Sequence, residues 1–342
     1  MDFNSLPKPF FVLAPMDDVT DTVFRQIIAD CAPPDLYFTE FVNVDGLQSP
    51  GRPKLLKKLL FTPTEQPLIA QIWGKQPENF YKTARQLADG TFAHELGLSE
   101  GTNFAGVDLN MGCPEKNIVK NGTCSALMND RELTKSIIDA TREGLAGKLP
   151  LSVKTRLGFN EVDMGWIEFL FQQKLDMLAI HGRTRREMSK VPAQWDKIGE
   201  ARELRDKLAP DTLIVGNGDV RDRQHGLELA EQYGLDGVMI GRGVFEDPFA
   251  FAENSPWPDM PAEDRIALYK KHVELFAKTW QDRQRPVQTL NKFCKIYINN
   301  FNGAKELREK LMSAKGTDEL NRLMDAAYAA SEKVYVSPDG SG

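Results

Sequence analysis

The 342-residue chain is 41% apolar and 27% charged, enough for a large core and outside the disordered, collagen-like and disulfide-scaffold classes. Forty-three Lys and Arg against 49 Asp and Glu leave a formal charge of -6, so no global positive field would hold nucleic acid or an anionic membrane, and a nucleic-acid site has to be a local patch. Four cysteines without paired zinc-type spacing read as reduced intracellular thiols. No targeting segment or run near the ~18 apolar residues of a membrane span is found, so a cytoplasmic protein is expected.

Short apolar, β-rich runs recur at 10–14, 36–41, 68–72, 106–109, 151–154, 177–180, 212–215 and 237–240, with helical stretches between them at 77–87, 130–143, 166–173, 199–208 and 223–233. Runs that are apolar without alternation belong to strands buried on both faces, as in a parallel sheet. Eight successive βα units predict an α/β chain folded as a (β/α)8 TIM barrel, with an open doubly wound sheet as the alternative. Such a barrel needs roughly 250 residues. The pattern stops near Asp247-Pro248, before the turn-rich ENSPWPDMP, which predicts a barrel over 1–255 and a small helical domain over 256–342. From Met260 onward 14 Lys and Arg stand against 11 Asp and Glu, so the helical part is net basic in an acidic chain.

In a barrel of this kind the chemistry sits at the C-terminal ends of the strands. The residues following each run are Pro15-Met16-Asp17, Thr39-Glu40, Gln71, Asn110-Met111-Gly112-Cys113, Lys154-Thr155-Arg156, His181-Gly182-Arg183-Thr184-Arg185, Asn217-Gly218-Asp219 and Gly241-Arg242-Gly243. So many polar residues on one rim predict an active site there. The glycines after the seventh and eighth strands suit a phosphate, to which Arg242 would add a charged contact. No GxGxxG follows the first strand, so a mononucleotide cofactor fits better than a Rossmann-bound dinucleotide.

Cys113, in a Gly-Cys-Pro turn flanked by Asn110 and Lys116, is a candidate proton donor or nucleophile. Cys31 and Cys294 read as buried small hydrophobes, with Cys124 intermediate. Lys154 interrupts an apolar strand and either contacts the cofactor or snorkels to the surface. His181 either binds a phosphate or anionic ring edge or is structural. Arg183, Arg185, Arg186 and Lys190 form either a solvated loop or a nucleic-acid backbone contact. No metal site is expected, since neither His nor Cys shows ligand spacing.

Assembled in order, LAPMDDVTD, TEF, AQIWG, GVDLNMGCPEKNIVKNG, VKTRLG, IHGRTR, GNGDV and MIGRG make the chain resemble the tRNA-dihydrouridine synthases, flavin-dependent enzymes that reduce uridine in tRNA. The resemblance covers essentially the whole barrel. It implies FMN as cofactor, NADPH as electron donor and tRNA as partner, with the helical domain binding tRNA. Pro15, Met16 and Asp17 would form the turn beneath the flavin, with Gln71 and Lys154 at its ring or ribityl region. His181, Asn217, Gly218, Asp219, Gly241 and Arg242 would hold FMN, the last of them chiefly its phosphate. Asn110 would orient the uracil, Cys113 would be the catalytic acid, and Lys116, Arg183 and Arg185 would contact the substrate. A monomer is expected. One departure is Cys124-Ser125, where the family usually has Gly and Ala; another is a long segment at 89–103. Two other readings are an FMN oxidoreductase of a free pyrimidine-like molecule, which would not need the helical domain, and a non-catalytic RNA-binding protein, which would not need Lys154 or Cys113.

Overall fold

The computed structural model describes residues 3–280 and 284–335, the last six of these by backbone alone. Among them are nine strands, all parallel: β1 (Phe10–Leu13), β2 (Tyr37–Phe38), β3 (Val42–Asn43), β4 (Leu68–Trp73), β5 (Gly106–Met111), β6 (Leu151–Arg156), β7 (Met177–His181), β8 (Leu213–Asn217) and β9 (Gly237–Ile240). They run β1-β9-β8-β7-β6-β5-β4-β2, with β3 also on β4. A parallel bridge between Val12 and Leu36 joins the ends. The sheet is therefore a closed (β/α)8 barrel, and β2 and β3 share one of its eight staves.

The predicted second run, 36–41, breaks into these two short strands because polar side chains take over from the ladder. Thr39 Oγ1 accepts the Gln71 N–H at 3.0 Å, and Glu40 accepts the Asp18 N–H at 2.8 Å. Other elements follow the sequence closely, including the helices Pro77–Ala88, Arg131–Leu145 and Arg223–Tyr233. The helix expected from 199 starts earlier, as Trp195–Leu208, and the long segment at 89–103 holds the short helix Thr91–Glu95. Asp21, Asp130, Asp163 and Asp222 cap their helices by accepting an N–H three residues on, satisfying donors that a helix start leaves open. Close packing of the outer layer depends on Gly144, where a Cβ would sit 2.4 Å from the Tyr81 carbonyl oxygen.

Alternate residues on a strand share a face, and inside the barrel Phe10, Val12, Phe38, Ile69, Met177, Ala179, Val215 and Met239 join one apolar cluster. One step further along the same faces the side chains turn polar. Register sets Gln71 beside Asp108, Asp108 beside Ser152, Asn110 beside Lys154, and His181 beside Asn217. The apolar floor thus ends where a polar mouth begins.

Between the helix Thr22–Cys31 and the turn Pro63–Glu65 lies a buried ion pair. Arg25, without exposed surface, donates to Glu65 Oε2 at 2.6 Å and to the Thr20 and Leu60 carbonyls at 2.6 and 2.7 Å. Glu65 also accepts from Thr22 Oγ1 at 2.6 Å and the Thr62 N–H at 2.7 Å. Burial holds the Glu65 carboxyl above its usual range, with Arg25 pulling the other way.

The described residues divide into two compact units. The first runs to Gly243 and takes in Ala250–Glu253; the second comprises Val244–Phe249 and the chain from Asn254. In the second, the helices Ala262–Thr279, Asn291–Tyr297, Ala304–Ser313 and Thr317–Tyr335 follow one another. Tyr269 stacks on Tyr297 at 5.3 Å, and the Arg265 guanidinium lies 4.3 Å from the Trp257 ring centroid. His272, 3.0 Å from Tyr297 OH, is held neutral by burial, with its pKa down at about 3. No described helix is long and apolar enough to cross a membrane.

Candidate active site

At the end of β5 the backbone turns on Asn110, whose Oδ1 accepts the N–H groups of Gly112 and Cys113 at 3.1 and 3.0 Å. Gly112 passes close to β6, where a Cβ would meet Thr155 backbone at 3.2 Å. The Cys113 carbonyl accepts from Ser125 Oγ at 2.8 Å, and the Gly112 carbonyl from Arg156 Nε at 2.8 Å. The cysteine turn is therefore held on both sides.

Cys113 is half-buried and Cys124 is buried against it. The Cys124 S–H bonds to the Cys113 sulfur and is the chief reason the Cys113 thiol falls from its ordinary value to about 7. The Glu115 N–H and Arg156 act in the same direction, while burial and Asp17 oppose. Cys124 is correspondingly pushed well up, first by burial and then by Cys113. A thiol titrating near neutrality is suited to give a proton in that range.

Across the mouth, Lys154 Nζ donates to Asn217 Oδ1 at 3.2 Å, and Asn217 Nδ2 to the Met239 carbonyl at 2.9 Å. Burial and neighbouring Arg156 bring Lys154 down to about 8. His181 is kept neutral, first by burial and then by Arg156, Lys154, Arg183 and Arg242. Four cations thus act on one imidazole in an acidic chain, a local field suited to an anionic ligand.

After β8, Gly218 adopts φ +129°, and a Cβ there would come within 2.7 Å of Ala193 Cβ and 3.3 Å of His181 Cδ2. Asp219 follows with φ +55°. Its carboxylate lies between the guanidinium groups of Arg183 and Arg242, the latter at 3.0 Å, and accepts the Ala193 N–H at 3.0 Å. Burial opposes ionisation, but these partners hold Asp219 below the usual carboxylate range. Among the described residues, the backbone N–H groups of Gly218, Asp219, Gly241 and Arg242 donate to no carbonyl in a turn or loop. Two glycines and four unspent N–H donors beside arginines fit a phosphate. Gly241 itself needs no special room, since a Cβ there would stand 3.5 Å from Ala14 Cβ.

The remaining expected residues are placed as follows. Pro15 and Met16 are partly exposed after β1, with the Met16 N–H held by Thr20 Oγ1 at 2.9 Å. Asp17 is exposed and ion-paired with Lys58, which also lies 3.8 Å from Glu40. Asp17, Asp18 and Glu40 bring carboxylate oxygens within 4.8 Å of one another, but Lys58 supplies the countercharge. Gln71 is fully buried and uses both amide atoms inside the barrel. Lys116 is exposed at the start of the helix Lys116–Lys120.

Arg183 departs from the expected outward-facing basic cluster. Only 2% exposed, it turns inward to the Val191 carbonyl, His181 and Asp219. The pull is the Asp219 carboxylate, 36 residues away in sequence and adjacent in the barrel. Arg185 is half-buried with its guanidinium 5.2 Å from the Phe159 ring centroid, so Arg186 and Lys190 are the exposed cations of that loop. Sequence reasoning passed over Asp108 and Ser152, and gave Arg156, placed on the rim, no role. A charged residue inside the apolar run GVDLNM was the available signal for the first.

A strand-end thiol set against a cationic, glycine-lined cradle defines an enzyme of the barrel class with its site at the C-terminal rim. The profile of the family described as Dihydrouridine synthase (Dus) matches residues 12–333, and the chain belongs to that family. Similar proteins include the probable tRNA-dihydrouridine synthase 2 of Bacillus subtilis (strain 168), 46% identical over 326 residues that cover 94% of this chain and 95% of that one. The probable tRNA-dihydrouridine synthase of Staphylococcus aureus (strain COL) is 45% identical over 334 residues, 97% of either chain. Among solved structures, histamine dehydrogenase from Rhizobium sp. 4-9 aligns over 78% of this chain and 48% of that one, at 11% identity and TM-score 0.49.

Proposed function

We propose that this protein reduces the C5–C6 double bond of a uridine in tRNA, with FMN held at the barrel mouth and Cys113 as the proton donor. The observation that carries this reading is the Cys113 turn, held at the end of β5 by Asn110, Ser125 and Arg156, on the same strand-end rim as Lys154, Asn217 and the Gly218 turn, whose cations and open backbone donors suit a flavin phosphate. When bound, such a flavin supplies hydride chemistry, with NADPH as the source of electrons.

The chain's own residues do the rest. Gly218, Asp219, Gly241 and Arg242 receive the phosphate, for which Arg242, 60% exposed, is the reachable guanidinium and Arg183 the inner one. Lys154, Asn217 and His181 would hold the flavin's ring and ribityl region, for which Gln71 has one amide hydrogen left, and Pro15, Met16 and Asp17 would form the turn against it. Asn110, with one Nδ2 hydrogen unspent, orients the base. Cys113 would give its proton to C5 of the base. A base in a stacked tRNA has to leave the stack to reach this depth, so the RNA is gripped by backbone and shape. We assign that grip to the region 256–342, to Lys116 and to the 183–190 loop through its exposed members. The protein is taken to act as a monomer in the cytoplasm.

Unmodified tRNA incubated with protein and NADPH is expected to gain dihydrouridine at one defined position by mass-spectrometric mapping. Bound, NADPH-reducible flavin without dihydrouridine would move the assignment to a free small-molecule substrate. Gly218→Ala tests the cradle. Left-handed backbone strain and the Ala193 contact are expected to cost about 1–3 kcal/mol, read as flavin affinity weakened about tenfold or more in a fluorescence titration. Unchanged affinity would remove the β8 turn from the cofactor site.

A further inference from the structure

Behind the cysteine turn, a line of buried side chains runs from the rim into the barrel and ends on a carboxylate that the reaction above does not use. Its hydrogen-bond directions are determined at both ends. Backbone N–H groups only donate, so Asn110 must turn Oδ1 toward Gly112 and Cys113. That leaves Nδ2 to donate to Gln71 Oε1 at 3.1 Å. Gln71 is then left with Nε2, which donates to Asp108 Oδ2 at 2.8 Å, while Asp108 Oδ1 accepts from Ser152 Oγ at 2.6 Å. Gln71, Asp108 and Ser152 have no exposed surface, and Asn110 is 7% exposed, so water offers little alternative partner.

We propose that Asp108 is a positioning residue for Cys113: as the buried acceptor at the end of this line, it fixes the Gln71 and Asn110 amides in the one orientation that holds the Gly112 and Cys113 N–H groups. The inference rests on Cys113 being the proton donor. Without an acceptor at 108, Gln71 Nε2 is buried with no partner, and it gains one only by giving up the bond in which Gln71 Oε1 accepts from Asn110 Nδ2. In a dry site one of the two amides is then left unsatisfied, and the Asn110 side chain that holds the Gly112 and Cys113 N–H groups loses its support.

Protonation does not break the line. Burial lifts the Asp108 carboxyl to about 7, with Ser152, Gln71 and Lys154 opposing. A proton on Oδ1 is accommodated when the Ser152 hydroxyl accepts it and turns its own hydrogen toward the Val107 carbonyl, 3.5 Å away. The same turn lets an asparagine at 108 keep an oxygen toward Gln71. What the line requires at this position is an acceptor rather than a charge.

Asp108→Leu removes the acceptor, and Asp108→Asn keeps it while removing the charge. For Asp108→Leu, kcat for dihydrouridine formation is expected to fall about 10²-fold, the scale of a misplaced catalytic group, with KM for tRNA unchanged. Independently of tRNA, the pH midpoint for iodoacetamide alkylation of the Cys113 peptide is expected to move upward as the thiol leaves the Cys124 S–H and Arg156. Asp108→Asn is expected to recover most of both losses. Should Asp108→Leu not fold, Asp108→Val, smaller and equally without an acceptor, is read in the same way. Equal losses in the Asn and Leu variants would overturn the proposal in favour of a charge effect, as would an unaltered alkylation profile and kcat in a folded Leu variant. A wild type that makes no dihydrouridine would instead count against the tRNA reading, because alkylation is measured without RNA.

Discussion

Cys113→Ala is expected to lower the reduction rate about 10²- to 10⁴-fold, the usual worth of a positioned acid, while flavin stays bound. Retention follows from geometry: the Lys154–Asn217 bond, the Gly218 turn and the Asp219–Arg242 pair do not involve the thiol. The pH dependence has a definite sign. With the thiol titrating at about 7, the acid form is complete well below that value, so a rate limited by proton donation falls as pH rises through 7. Removing the Cys124 S–H by Cys124→Ala takes away the largest influence lowering Cys113, so this falling limb is expected to shift to higher pH. Single-turnover rates from pH 5.5 to 9, with flavin absorbance recorded alongside, check both statements. Full activity in Cys113→Ala would remove the thiol from the chemistry.

The largest stability loss is expected from Arg25→Met, about 3–5 kcal/mol, because it leaves a carboxylate without its cation in a site that excludes water. Glu65 would keep the Thr22 and Thr62 donors but lose the guanidinium that opposes its desolvation. Its folded pKa then lies further above the unfolded value. A group raised in this way favours the fold below the unfolded pKa and loses that contribution as pH climbs through the folded one. The defect should therefore be smaller at pH 5 than at pH 8. Replacing both partners, Arg25→Met with Glu65→Leu, should recover much of the loss, since an apolar pair has no charge to desolvate. Urea unfolding of the three variants at the two pH values decides it, and a pH-independent loss unrelieved in the double variant would contradict the account.

The barrel was legible because strands buried on both faces leave continuous apolar runs, and that cue fails where side chains replace ladder bonds, as at Thr39 and Glu40. The rim residues could be located because each follows a run directly. Their partners could not, since the contacts that assign them come from elsewhere in the chain. Arg183 looked like part of a surface cluster until Asp219 was seen beside it, and Asp108 looked like one polar interruption in a strand until Gln71, on the neighbouring strand, was seen to end on it. Charge and hydropathy along a sequence report how often a side chain meets water; they do not say which strand stands next to which.

The stave shared by β2 and β3 also matters for motion. β5 and β6 are paired over five residues, whereas β1 meets its neighbour on this side through the single pair Val12 and Leu36. Local opening of a fold starts where few bonds must break together. Amide protons at Leu13 and Leu36, which bond across this seam to the Leu36 and Phe11 carbonyls, should exchange with solvent ahead of those between β5 and β6. The hoop thus has a built-in clasp between β1 and β2, with the β2/β3 stave and β4 standing between it and the strand that carries the cysteine turn.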